Sequence, residues 1–297
     1  MLAVALSGSA IPAMAQEPAP DRIELPDGWQ PEGITSNGAQ VVYVGSLADG
    51  AVWRGNTRTG EGEPFVEAGD GTAAAGLDWE AAERRLWIAG GPSGQIRVAD
   101  GRTGSILRSY AFEEAGFLND VTVTTAGAFA TDSNNPQLAF VPIGRNGALL
   151  PEAQATLIPL SGDIEYADGF NANGIVSTGG WLILVQSNTG RLFRVDPASG
   201  TTFAIDTGDA DLSGGDGLEL LEDRLYVVRG GGTRIAVLEL SPLLDRATLI
   251  AELTSDDFDV PTTVAVADDQ LWAVNARFGT DPTPETAYWI TRLPLRP

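Results

Sequence analysis

No histidine, cysteine or lysine occurs among the 297 residues. Losing imidazole removes the usual Ser-His-Asp arrangement and imidazole metal ligands, and losing lysine removes Schiff-base chemistry. With cysteine also missing, zinc, copper and iron-sulfur sites have none of their preferred ligands. What remains for chemistry is carboxylate, amide and hydroxyl oxygen, which suits hard cations such as calcium. All 18 basic residues are arginine, and they face 40 acidic ones for a net charge of −22. That imbalance opposes binding to nucleic acid phosphates or anionic lipid, so neither is expected as a partner. Most of the carboxylates read as a solvated surface.

Long apolar runs are scarce as well. Beyond the N-terminal region no stretch reaches the roughly 18 apolar residues of a membrane span. The exception, Met1 to Ala15, is apolar and small, and ends Ala13-Met14-Ala15 before Gln16-Glu17-Pro18. It lacks a basic start, yet the small-x-small ending reads as a truncated export signal, followed by a flexible leader over 16–21. A secreted or periplasmic monomer is expected, with residues 22–297 forming one domain.

No sustained 3.6-residue apolar period occurs, and turn signals recur about every 8 to 12 residues, so an all-β chain is expected. What is present is a repeat. Six short apolar strands open behind a small or polar pair: Glu32-Gly33, Ala75-Gly76, Asn119-Asp120, Asn173-Gly174, Asp216-Gly217 and Thr262-Thr263. The anchors are 43, 44, 54, 43 and 46 residues apart, the period of propeller blades. A β-sandwich has no need of six evenly spaced units. Each repeat continues with a second strand centred on Tyr43, Trp87, Phe129, Ile183, Tyr226 or Trp272, then a third strand. After three of the third strands comes an Asn or Asp turn ending in Gly: 56–60, 100–104 and 196–200. More polar outer strands follow in five repeats. The sixth is expected from Arg22-Ile23-Glu24-Leu25, which would pair with the last blade and close the ring. The predicted fold is therefore a six-bladed β-propeller of four-stranded antiparallel blades.

In a propeller the first strand of each blade lines the central channel. Glu32, Asn119, Asn173 and Asp216 would then face one another from blades one, three, four and five. Two carboxylates and two amide carbonyls can balance a divalent cation, most naturally calcium, leaving positions for water or a small-molecule substrate. A carboxylate beside it could accept a proton. Second-strand ends should open on the same mouth, which nominates Ser46, Asp132, Ser133, Gln186, Asn188, Arg229, Asn275 and Arg277 as wall residues. Arg229 and Arg277 could grip a carboxylate or phosphoryl oxygen, or each could simply tie acidic neighbours together. Trp53, Trp87, Trp272 and Trp289 read as core, while Trp79 follows Asp78 near the axis.

The motifs Pro31-Glu32-Gly33, Asn119-Asp120, Asn173-Gly174 and Gly215-Asp216-Gly217 resemble those of the senescence-marker-protein/gluconolactonase-like propellers. That family includes regucalcin-type lactonases and the calcium-dependent diisopropyl-fluorophosphatase, and the resemblance runs from about Pro31 to the C-terminus. It implies that Glu32, Asn119, Asn173 and Asp216 are metal ligands and that Asp216 doubles as base or nucleophile. It also departs from the family. Regucalcin-like members carry an arginine two residues before the first Asn, where this chain has Phe117, and the phosphatase-like members use a histidine that is missing here. The expected substrate contacts are accordingly Phe117, Asp132, Gln186, Arg229 and Arg277. The expected function is calcium-dependent hydrolysis of lactones, esters or phosphotriesters. The alternatives are a secreted binding propeller with a structural central metal, and a strictosidine-synthase-like or lyase activity.

Overall fold

A computed structural model describes residues 19–69 and 71–295. The export-signal region, Met1 to Ala15, lies outside the described residues. Six sheets follow in chain order, each a meander of neighbouring strands. Blade 1 comprises Pro31–Ser36, Val41–Ser46, Val52–Asn56 and Gly62–Val66. Blade 2 comprises Leu77–Glu80, Arg85–Ala89, Gln95–Asp100 and Ile106–Ala111. Blade 3 comprises Leu118–Val123, Gly127–Asp132, Gln137–Pro142 and Thr156–Pro159. Blade 4 comprises Ala172–Thr178, Trp181–Gln186, Arg191–Val195 and Thr201–Ile205. Blade 5 comprises Gly215–Leu221, Arg224–Arg229, Arg234–Leu240 and Ala247–Leu253.

Blade 6 joins the two ends of the chain. Pro261–Ala267, Gln270–Asn275 and Tyr288–Pro294 supply three strands, and Arg22–Leu25 pairs antiparallel to the third, with Ile23 opposite Ile290. The fold and the closing strand are as expected. One addition is not: Ser161–Gly162 runs parallel to Thr201-Thr202 and makes blade 4 five-stranded.

Hairpin chemistry explains the turns. Asn56, Asp100 and Asp196 each accept from the backbone two residues on, and Gly60, Gly104 and Gly200 sit at φ of 75°, 74° and 71°. That left-handed conformation is open to glycine at little steric cost. The second-strand centres are all buried, among them Trp87, Tyr226 and Trp272.

The apolar core is not one mass but six clusters, each bridging two consecutive blades. The cluster joining blades 6 and 1 contains Ile23, Leu25, Ile34, Trp53, Trp272 and Ile290, so closure is apolar as well as hydrogen-bonded. Burial of each such large side chain contributes about 1.5–3 kcal/mol. Near the axis the blades meet by backbone. A Cβ on Gly33 would run into the Ala75 carbonyl of the next blade, and one on Gly174 into the Asp216 carbonyl. The glycine after the anchor therefore permits the close approach that draws the inner strands around a narrow channel.

Candidate metal centre

Five inner strands carry the same defect at their first turn of pairing. In blade 1 Pro31 pairs with Ser46 and Ile34 with Val44, so Glu32 and Gly33 together oppose the single residue Gly45. The same shift occurs between Leu118 and Val121, Ala172 and Ile175, Gly215 and Leu218, and Pro261 and Val264. A β-bulge interrupts the in-out alternation and re-aims its side chains. The bulged pairs are Glu32-Gly33, Asn119-Asp120, Asn173-Gly174, Asp216-Gly217 and Thr262-Thr263, so two carboxyl and two amide anchors, with the Thr262 hydroxyl as a fifth, are offered at one rim of the channel.

Their electrostatics connect them across the ring. Glu32 is buried, and its carboxyl is pushed well above the usual range, first by burial and then by the negative charges of Asp216 and Asp120. Asp216, half-buried, is raised to about 7 by burial, with partial relief from the Asn173 amide, which lies within hydrogen-bonding reach. Glu32 and Asp216 are thus close enough to repel although they come from blades 1 and 5. Among the described residues no guanidinium relieves either one. Two carboxyls whose charged forms are disfavoured by burial, and which have no positive neighbour among the groups acting on them, have the electrostatics of a site that a cation would complete.

The amides are oriented by a repeated relay. Asn119 Nδ2 donates to Ser133 Oγ at 2.9 Å, and that hydroxyl donates to the Ala172 carbonyl at 2.7 Å. One blade on, Asn173 Nδ2 donates to Ser187 Oγ at 3.0 Å, and Ser187 donates to the Gly215 carbonyl. Each chain ends on the residue just before the next anchor. The relays tie each amide to the following blade, and the Asn173 amide also reaches Asp216. Thr262 lacks a ligand's reach but braces the ring, donating from Oγ1 to the Glu32 carbonyl at 2.6 Å. The donor set fits a hard divalent cation in chemistry. No group of three or more carboxylates makes a metal cluster by itself among the described residues, so the two amides are needed to complete it.

Beneath this ring lies a second acidic layer. Asp120 occupies the bulge position that is glycine in blades 1, 4 and 5; its oxygens accept from the Val121 and Ile175 amides at 2.9 and 3.2 Å. Asp78 accepts from Trp79 N and Val123 N at 2.7 Å each. Burial raises both to about 7, and raises Glu219 of the facing blade to about 8, with Asp78 and Asp120 adding to the latter. The place of Asp78 and Glu219, one position after the first regular pair of their inner strands at Leu77 and Leu218, is the signal by which the repeat could have identified those two.

Register places the second-strand ends beside the anchors, since Ser46, Asp132, Gln186, Arg229 and Asn275 pair with the residues that open the inner strands. Their side chains are occupied there. Asp132 is fully buried and accepts from the amides of Gly116, Phe117, Asn134 and Asn135 and from Gln137 Nε2. Gln186, also fully buried, donates to the Glu165 carbonyl and Asn171 Oδ1 and accepts from Thr189. Asn275 holds Thr291 and the Asp259 amide, Ser46 holds Asp49, and Asn188 reaches Asn171. Arg229 donates to Asp211 at 2.6 Å and to the Ser213 carbonyl; Arg277 donates to Asp259 at 2.7 Å and to the Ala287 carbonyl. Of the two readings of these arginines, the ties to acidic neighbours are the ones present. Phe117 differs: half-buried two residues before Asn119, it packs edge-on against the exposed Phe170 with ring centres 5.2 Å apart. These rings form an apolar lip at the mouth.

The fold and its axial oxygens define a six-bladed β-propeller with a candidate cation ring. No family model and no curated protein sequence matches the chain. Among solved structures it is similar to Mala s 1, the major allergen of Malassezia sympodialis, with TM-score 0.71 and 15% identity over 92% of this chain and 96% of that one. It is similar to virginiamycin B lyase from Staphylococcus aureus, with TM-score 0.54 and 15% identity over 92% and 99% of the two chains. A Bacteroides thetaiotaomicron protein of unknown function aligns with TM-score 0.63 and 13% identity, over 95% of this chain and 71% of that one. At these identities the likeness is one of fold, and it includes an enzyme among the neighbours.

Proposed function

We propose that the chain is a secreted hydrolase of lactones, esters or phosphotriesters that depends on a divalent cation, calcium first, held by Glu32, Asn119, Asn173 and Asp216. The observation that carries this reading is the set of bulges that offers two carboxylates and two amides tied to the following blade at one rim, with no basic partner among the charges acting on the carboxyls. Bound there, a divalent cation would supply positive charge to the scissile carbonyl or phosphoryl oxygen as that oxygen gains negative charge.

The chain's own groups account for the rest. Asp216 is the ring carboxyl left half-buried, so substrate or water can reach it, and it serves as proton acceptor for an adding water or as the attacking oxygen. Its place next to Asn173 fixes the carboxyl plane. The Phe117–Phe170 lip covers apolar substituents and keeps bulk water from the ring. Because Arg229 and Arg277 already face Asp211 and Asp259, the mouth favours uncharged substrates over sugar acids. A second reading, a metal that only staples the blades, is favoured by the relays from Asn119 and Asn173, which end on the following blade.

A panel of lactones, aryl esters and phosphotriesters, assayed across a calcium titration, separates the two. The hydrolase reading expects turnover that disappears with chelator and with Asp216→Asn. The staple reading expects a lower melting temperature after both treatments and no turnover on any substrate.

A further inference from the structure

The one irregular spacing of the repeat, 54 residues between Asn119 and Asn173, is not used by the ring. Part of the excess lies in the connection between the third and fourth strands of blade 3, residues 143–155, where blades 1, 2 and 4 use the short turns 57–61, 101–105 and 196–200. Such a connection sits at the rim opposite the anchors. There it walls a groove of about 870 Å3, whose other sides are the inner hairpins of blades 2, 3 and 4 and Pro197. Volumes of this order suit a small-molecule or short-oligomer ligand.

The insertion is fastened in place rather than loose. Arg85, paired in two hydrogen bonds with the buried Glu80, donates its remaining nitrogen Nη1 to the Gly147 carbonyl at 2.8 Å. Tyr110 donates to the Leu150 carbonyl at 3.0 Å, and Glu152 accepts from the Ala111 amide at 2.8 Å. The tip holds Asn146 and Gly147 at φ of 58° and 72°. An added loop tied to a buried ion pair of blade 2 and with a fixed tip is a pre-formed wall, which spares a ligand the entropic cost of ordering it.

The lining indicates the ligand. Trp79 and Trp181 both line the groove half-buried, each held by another ring: Trp79 stacks on Tyr43 at 5.3 Å, and Trp181 meets Phe203 edge-on at 5.9 Å. Between them come the hydroxyls of Thr125, Ser177 and Thr178, for which no hydrogen bond exists among the described residues. Charge is balanced, because Glu80 is neutralised by Arg85 and the exposed Arg145 and Glu83 offset each other. In a chain of net charge −22, a neutral groove with indole walls and free hydroxyls is matched to an uncharged ring that has apolar C–H faces and hydroxyls at its edge. We infer that this groove binds a neutral saccharide, its pyranose faces laid on Trp181 and Trp79 and its hydroxyls bonded to Thr125, Ser177 and Thr178. The site is separate from the cation ring, at the other end of the channel.

Isothermal titration of the full chain with soluble cello-, malto-, xylo- and chitohexaose tests this. At least one should bind, and Trp181→Ala should weaken it by about tenfold or more, the loss of one aromatic contact. Thr125→Arg, which leaves the core intact and fills the groove, should abolish binding while the melting temperature holds. Glu32→Gln, at the far rim, should leave binding unchanged. The inference is overturned if none of the four binds, if binding survives both groove variants, or if Glu32→Gln removes it.

Discussion

The two ends of the channel are built from the same six strands and do different things. At the anchor end, five bulges break the pairing and turn Glu32, Asn119, Asn173 and Asp216 out of the sheet alternation. Further along, pairing is regular, and Asp78 and Glu219 point to the channel in step with their strands, each holding backbone amides. On the proposed reading, residue type alone does not make a ligand ring. Carboxyls occur in both layers, but only the bulged layer combines them with tethered amides, and only there does a half-buried carboxyl, Asp216, sit beside an amide that can share a cation with it.

The largest effect expected from breaking this contrast is chemical. Asp216→Asn should lower turnover by roughly 10²–10⁴-fold while leaving the circular dichroism spectrum unchanged; a variant that keeps its activity removes the ring from the mechanism. Next comes the close approach that shapes the mouth. Gly174→Val places a side chain against the Asp216 carbonyl, and denaturant unfolding should register a loss of about 3 kcal/mol or failure to fold.

The deeper layer should respond to pH instead. Burial keeps the Glu219 carboxyl protonated up to about 8, whereas in the unfolded chain a glutamate ionises near about 4.3. Between those values the folded chain holds a proton that the unfolded chain has released, so stability falls as pH rises through the window and levels off above it. Glu219→Gln should therefore raise the unfolding free energy of chelator-treated protein by about 1–3 kcal/mol at pH 9 and by little at pH 4. Equal effects at both pH values would contradict the assigned burial.

Much of this was legible in the repeat. The anchors, the buried second-strand centres, the Asn and Asp turns and the closing strand at Ile23 all follow from local pattern and period, because each is set by neighbours in the same blade or by the sixfold arrangement. The bulges were not legible, since pairing register is decided between strands. Nor were the partners of Asp132, Gln186, Arg229 and Arg277. Such residues at strand ends take their direction partly from loops earlier in the chain, as when Asp132 gathers amides from residues 116–117 as well as from the adjacent 134–135. The Asn-Ser relays were hidden for the same reason: Ser133 and Ser187 acquire meaning only when the next blade supplies a carbonyl.

The smaller predictions sharpen the comparison at the rim. Ser187→Ala cuts the relay behind Asn173 and should weaken cation binding by about tenfold, as loss of an outer hydrogen bond to a ligand does. Arg277→Gln breaks only a partly exposed pair and should leave KM within about twofold.

The central claim is that four side chains from four blades hold one cation. Calorimetric titration of chelator-treated protein with calcium should give one site per chain, lost in the Glu32→Gln/Asp216→Asn double variant and retained in Glu219→Gln. Absence of calcium uptake by the unmodified protein, or uptake that the double variant leaves intact, would contradict it.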